Sequence, residues 1–297
     1  MDIEALLKRH GDVKWCMEPF PHAIVDNFFP QEVFDKISDV SAQDVSDLKR
    51  ENKSVLELNK KEYGLDGTSD IFRIPVETMG TAGGVAFFAK FIEASKIITL
   101  ASFENFGGYY PYHRSNRNGL LGAHVDHSNL DKNFHFANSI FYSHKDWDKE
   151  WNGETILFNH NGLVPKVYIE PKPNRMIFFI HSNKSFHGVN TILCPEGVTR
   201  NTYYMDYYIN PIDLPTVQKN AKKMGSKRLL KWTYHPTTFV PFFPLGLKSF
   251  HIKGFKSTSG YLVSYVLYLV FSISFFTKLR FKCFSEIRYL KTKFFKK

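Results

Sequence analysis

Between about Ile97 and Ile209 the chain runs in short apolar segments broken by Gly, Pro, Asn and Asp. Segments of that length, punctuated in that way, predict successive strands of a sandwich or barrel. Earlier, residues 1–9 (Met-Asp-Ile-Glu-Ala-Leu-Leu-Lys-Arg) and 30–37 (Pro-Gln-Glu-Val-Phe-Asp-Lys-Ile) repeat apolar positions at helical spacing, and Pro30 suits a first helical position. Residues 41–70 are polar and predict a loop-rich approach to the mouth of the barrel. The expected fold is mainly β, with a jelly-roll core over about 97–210 and supporting N-terminal helices. A jelly roll lets two strands present side chains toward one centre. The pattern contains neither an internal repeat nor a nucleotide-binding glycine loop.

Composition agrees: 297 residues, 43% hydrophobic and 16% aromatic, suit a β-rich globule with a sizeable core. Charge changes the picture. The net charge is +10, yet Leu214 to Lys297 holds seventeen Lys and Arg against Glu286 alone, or +16, and residues 1–213 carry −6. Two parts are therefore expected, a catalytic-type domain over 1–213 and a basic, partly helical extension over 214–297. Within the extension, residues 257–277 are uncharged, but the strongly apolar centre covers only 261–276, with three Ser inside it and basic residues on both sides. A spanning helix needs roughly 20 apolar residues. The segment reads instead as peripheral contact with anionic membrane through 248–297, the alternatives being a spanning helix or a C-terminal helix buried on the core. Lys278-Leu279-Arg280-Phe281-Lys282 interleaves basic and aromatic residues, but nothing else points to nucleic acid. Three cysteines without a CxxC pair, and no N-terminal signal peptide, point to a reducing cytoplasm, with the tail on the inner face of a membrane.

Candidate chemistry lies in the β-rich part. His124 and Asp126 stand one residue apart in Gly122-Ala123-His124-Val125-Asp126-His127, so a strand would turn both to one face. His187 follows in Ser185-Phe186-His187-Gly188. Two imidazoles and a carboxylate on one side of an ion leave the other side open, which is the ligand set of non-haem Fe(II) oxygenases. His-x-Asp occurs again at His144-Lys145-Asp146, where a charged stretch ending in Asn152-Gly153 reads as a solvated turn. His135, His160 and His181 read as hydrogen-bonded core residues, and Arg175 as a surface or supporting group at a strand entrance.

The surrounding motifs resemble the 2-oxoglutarate/Fe(II) dioxygenases, specifically the prolyl-4-hydroxylase-like branch, from about Pro19 to Ile209. The resemblance is carried by the order of several pieces: Pro19-Phe20-Pro21-His22 to Pro30, the two iron ligands, Ser139 to Trp147, Asn152-Gly153-Glu154-Thr155, Ile169 to Phe179 with Arg175, His187, and Arg200-Asn201-Thr202. It implies a double-stranded β-helix, Fe(II) held by His124, Asp126 and His187, 2-oxoglutarate and O2 as cosubstrates, and ascorbate as a reductant. It implies oxidative decarboxylation of 2-oxoglutarate to succinate and CO2, coupled to hydroxylation of an sp³ carbon. Arg200 takes the family's position for a forked grip on the far carboxylate of 2-oxoglutarate. Tyr142 matches a tyrosine that adds a hydroxyl there, and Thr202 would add a weaker bond. The family's second tyrosine, about ten residues before the first iron His, is Arg114 here, so Tyr112 is taken in its stead. The second Gly before Glu is replaced by Asn152, and Leu193 to Gly197 lengthens a loop. Substrate candidates are peptidyl proline, a small molecule, or a glycan or lipid-linked group, and the alternative to an enzyme is a tethered jelly-roll scaffold that has lost turnover.

Overall fold

The computed structural model describes residues 3–11, 13–43, 49–51, 57–99, 110–126, 129–130, 133–160, 162, 164–227, 230 and 238–239. Helices α1 (Ile3–His10) and α2 (Gln31–Ser41) form where the helical spacing places them, with Pro30 at the N-cap of α2 rather than inside it. Strands β1 (Trp15–Cys16) and β2 (His22–Val25) lie between them. Next come β3 (Lys49–Glu51), β4 (Glu57–Tyr63), α3 (Asp70–Gly80), α4 (Ala82–Ala86), β5 (Ile97–Thr99), β6 (Tyr112–Val125), β7 (Asn129–Leu130) and β8 (Asn133–Tyr142). The chain continues through β9 (Thr155–Phe158), β10 (Pro165–Ile169), β11 (Met176–Ile180), β12 (His187–Val189), β13 (Arg200–Ile209), α5 (Leu214–Lys223) and β14 (Thr238–Phe239).

All the described strands join one antiparallel, curled sheet in the order β1-β2-β11-β8-β13-β6-β12-β9-β10, which is the expected jelly roll, or double-stranded β-helix. The fourteen-residue β6 makes the curl possible. Its first part pairs with β13 (Arg200 opposite Ser115) and its last part with β12 (His187 opposite His124), so one strand carries the chain from one wall to the other. β3 and β4 lie in the stretch expected to be loop-rich. β4 pairs with β6 along most of its length. Its sequence, Glu-Leu-Asn-Lys-Lys-Glu-Tyr, lacks the apolar alternation that reveals a strand, because Lys60 buries its length by bonding Glu57 and Glu62 at 2.8 Å each.

α1 to α4 cover the outer face of the wall containing β8, β11 and β13. Phe28, Phe72, Phe88, Phe136, Phe178 and Tyr207 are buried there in one large cluster. Each such ring contributes about 1.5–3 kcal/mol by leaving water. Two polar clamps fasten the N-terminal segment to that wall. Arg175, expected as a surface or supporting group at a strand entrance, is buried and grips Asp26 with both arms, at 2.5 and 2.9 Å. Asn174 accepts from the Phe29 N–H at 2.9 Å and donates to the Phe29 carbonyl at 2.8 Å. The basic extension beyond 239, with its apolar centre at 261–276, lies outside the described residues. Among the described residues no helix is long and apolar enough to cross a membrane.

Candidate metal and cosubstrate site

His124 lies one residue before the end of β6 and His187 begins β12, and the two are register partners, so their side chains leave the sheet side by side. The rings lie 4.3 Å apart between centroids. Asp126, one residue past β6, reaches back to both: Oδ1 is 3.3 Å from His124 Nε2 and Oδ2 is 3.3 Å from His187 Nε2. The three form the group able to hold one ion among the described residues. Gly188 permits this approach, since a Cβ there would meet the Leu121 carbonyl at 2.6 Å.

The hydrogen bonds behind the rings decide which nitrogens face the centre. His124 Nδ1 lies 2.8 Å from the Gly122 carbonyl and His187 Nδ1 3.0 Å from the Ser185 carbonyl. A carbonyl only accepts, so both Nδ1 atoms carry protons, and in the neutral rings both Nε2 lone pairs point inward. That donor set fits a divalent iron. Burial disfavours charge on His124, yet the Asp126 carboxylate lifts its pKa above the ordinary value. His187 falls below it through burial and the neighbouring His124. Burial would raise the Asp126 pKa, but the two imidazoles hold it well below the usual carboxylate range.

Arg200 starts β13 and is 4% exposed. Its guanidinium donates to the Gly153 carbonyl at 2.8 Å, Thr155 Oγ1 at 3.0 Å and Tyr142 Oη at 3.2 Å. Among the described residues no carboxylate pairs with it. A buried cation without a counter-ion is costly, so this is a site made for an anion. Thr155 shares the face of β9 with Leu157, which pairs with His187, so the arginine and the triad open into one interior. Tyr142, Leu157, Ile177 and Phe179 line it, and Phe179 packs 4.8 Å from the His187 ring. Asn152 and Gly153, both at positive φ, turn the chain so that the Gly153 carbonyl meets Arg200. Asn152 stands there at φ 53° and ψ −135°, outside the left-handed helical region that Asn tolerates, so Gly would suit the position better.

The other expected contacts are distributed differently. Thr202 is buried beside Tyr142 in register, but the hydroxyl bonded to both Arg200 and Tyr142 belongs to Thr155, 2.7 Å from Tyr142 Oη. Tyr112 points away from the site. It packs on Phe72 and Tyr203 under the helices, bonds to the Ser41 carbonyl, and accepts from Arg114 at 3.1 Å. The residue facing inward at that level is His113, opposite Thr202. Counting by twos back from His124 fails because β6 is irregular: its five-residue step from Ser115 to Leu120 passes the two-residue step Leu58 to Lys60 of β4.

The histidines outside the triad also sort out. His144 is buried rather than solvated, bonding the Pro171 carbonyl at 2.6 Å, while Lys145 and Asp146 are exposed as expected. His160 is exposed, not core. His135 and His181 are buried 4.2 Å apart in a polar group beside the triad that includes Asn138, Tyr204 and Asp206. Tyr204 and Asp206 follow Arg200 at intervals of two on one face of β13, a signal present in Arg200-Asn-Thr-Tyr-Tyr-Met-Asp206. Burial, together with Asp126 and Asp206, pushes the Tyr204 hydroxyl well above the ordinary phenol value, so it keeps its proton.

Residues 110–205, which carry β6 through most of β13, match the 2OG-Fe(II) oxygenase superfamily. That match spans about a third of the chain and contains His124, Asp126, Tyr142, His187 and Arg200. Among solved structures the chain is similar to a prolyl-4-hydroxylase from Pseudomonas putida (11% identity, 70% of this chain and 98% of that one, TM-score 0.45). It is similar also to a Trichoplax adhaerens prolyl hydroxylase in complex with a hypoxia-inducible-factor peptide fragment (12%, 71% and 90%, 0.46). A third is HygX from Streptomyces hygroscopicus, with nickel, 2-oxoglutarate and hygromycin B bound (11%, 69% and 86%, 0.41). The chain matches no curated protein.

Proposed function

We propose that the protein is a 2-oxoglutarate- and Fe(II)-dependent dioxygenase that hydroxylates an sp³ carbon. His124, Asp126 and His187 would hold the iron, and Arg200, with Tyr142 and Thr155, the far carboxylate of 2-oxoglutarate. The bound metal supplies the oxidising power, activating O2 as 2-oxoglutarate is decarboxylated to succinate and CO2. The chain's own residues do the rest. Arg200 neutralises and orients the keto acid through charge-assisted hydrogen bonds. Leu157, Ile177 and Phe179 keep that end dry. The Nδ1–H groups of the two histidines donate to backbone carbonyls, fixing the rings. The observation that carries the reading is the buried, carboxylate-free Arg200 opening into the interior that holds the triad.

On the other side of the triad the wall is polar. Asp206, His113 and Tyr204 are part-exposed there. Such a wall supports a substrate rich in hydrogen-bonding groups, a glycan or small polar molecule, alongside the peptidyl proline that the motifs suggest. Ascorbate is proposed as the reductant. The basic extension is proposed to hold the enzyme on the inner, cytoplasmic face of an anionic membrane, supported by its +16 charge and its apolar centre at 261–276. Succinate release from 2-oxoglutarate with Fe(II) tests the activity, wild type beside His187→Ala. Release is expected from the wild type alone, and equal rates would defeat the proposal.

A further inference from the structure

The carboxylate of Asp126 has a neighbour besides the two imidazoles. Tyr204 projects from β13 on the face of Arg200, and its Oη stands 3.1 Å from Asp126 Oδ2. The ring cannot drift far. His113 stacks on it at 5.5 Å with 26° between planes, and His113 Nε2 is itself 2.9 Å from the Tyr110 carbonyl. Beyond the hydroxyl lies the Asn138 amide. It is satisfied with its nitrogen toward Asp206 (3.0 Å) and the Ala137 carbonyl (2.8 Å), and its oxygen toward Tyr204 and His181 Nε2, the latter at 2.8 Å. The single Tyr204 proton is therefore shared between that amide oxygen and the charged Asp126, which is the stronger acceptor.

We propose that Tyr204 is a positioning residue for the metal, holding Asp126 Oδ2 so that Oδ1 is the oxygen presented to the ion. The proposal rests on the reading of His124, Asp126 and His187 as an iron centre. It would matter for the chemistry because a carboxylate free to offer both oxygens to the ion that His124, Asp126 and His187 would hold would compete with 2-oxoglutarate and O2 for it. A phenol bonded to one of those oxygens opposes this, and also removes the entropy that a loose ligand loses on binding.

Co(II), followed by its visible absorption, probes the site in the full-length chain without turnover. Tyr204→Phe keeps the ring on His113 and deletes only the hydroxyl, and Tyr204→Leu, which also lacks any donor or ligand atom, serves in its place should Phe fail to fold. The variant is expected to bind Co(II) about tenfold more weakly than wild type, with a changed absorption band. In an Asp126→Ala background the same substitution is expected to leave residual Co(II) binding within about twofold, because the ligand through which Tyr204 acts is gone. Unchanged affinity in the first background, or equal weakening in both, overturns the inference. A wild-type chain that binds no Co(II) would instead overturn the iron-centre reading itself.

Discussion

Replacing Arg200 by methionine is expected to move cosubstrate affinity and ligand-free stability in opposite directions. In the ligand-free protein the guanidinium is 4% exposed and donates to the Gly153 carbonyl, Thr155 and Tyr142, with no carboxylate partner among the described residues. Taking it away strands little. Thr155 and Tyr142 already bond each other at 2.7 Å, so only the Gly153 carbonyl loses its donor, at about 1–3 kcal/mol. Against this, the protein no longer buries an uncompensated cation, a penalty of several kcal/mol even after relaxation. Ligand-free stability should therefore hold or rise. Binding of 2-oxoglutarate should collapse, because truncating one partner of a buried charge pair costs about 2–5 kcal/mol, or roughly 30-fold to several thousandfold in Kd. Calorimetric titration of 2-oxoglutarate into the anaerobic Mn(II)-loaded protein reads the second quantity, and urea unfolding of the ligand-free protein reads the first. A Kd within about threefold of wild type, or a ligand-free destabilisation beyond about 2 kcal/mol, would refute the argument that this cation waits for an anion.

Thr155→Val removes the hydroxyl shared by Arg200 and Tyr142 while preserving shape, and should raise the 2-oxoglutarate KM by about three- to tenfold, one hydrogen bond's worth, in steady-state succinate assays. A KM that responds to Thr202→Val and not to Thr155→Val would reverse the assignment. Asn174→Ala loses both bonds to Phe29 and places alanine at φ 57°, so urea unfolding should show a loss of about 3 kcal/mol. Burial lowers the His144 pKa to about 4, so the folded state resists a proton that the unfolded chain takes up near pH 6.5. Its contribution is complete above that pH and is lost as pH falls from about 6.5 to 4, at most about 3 kcal/mol, so His144→Gln should flatten the pH profile of unfolding in that window. An unchanged slope would show that His144 is not the group responsible.

The parts of this molecule that declare themselves in sequence are those where one residue type has one use. His124-x-Asp126 with His187 suggests a metal site because strand alternation and ligand chemistry agree, and the structure brings the three side chains together. Arg200 and Tyr142 were legible through the order of surrounding motifs, and they meet as expected. What escaped depended on local backbone irregularity or on polar residues buried by one another. β4 hides because Lys60 is neutralised by Glu57 and Glu62 rather than excluded from the sheet. Arg175 reads in sequence as either a surface or a supporting group, because Asp26, its partner, is 149 positions away. Thr155 lay unread because any small β-branched residue suits a strand, and only the fold shows that its hydroxyl touches Arg200.

The irregular stretch of β6 between Ser115 and Leu120 has a consequence for how such a pocket can diversify. It acts as a spacer joining two rulers, one that sets the ligand rung at His124 and one that sets the rim at Tyr112 and His113. Lengthening or shortening the spacer by a single residue would swap which of those two side chains looks into the cavity, leaving the ligand rung in place. Selectivity at the rim can thus be rewritten by an indel, without a single substitution among the residues that grip the metal.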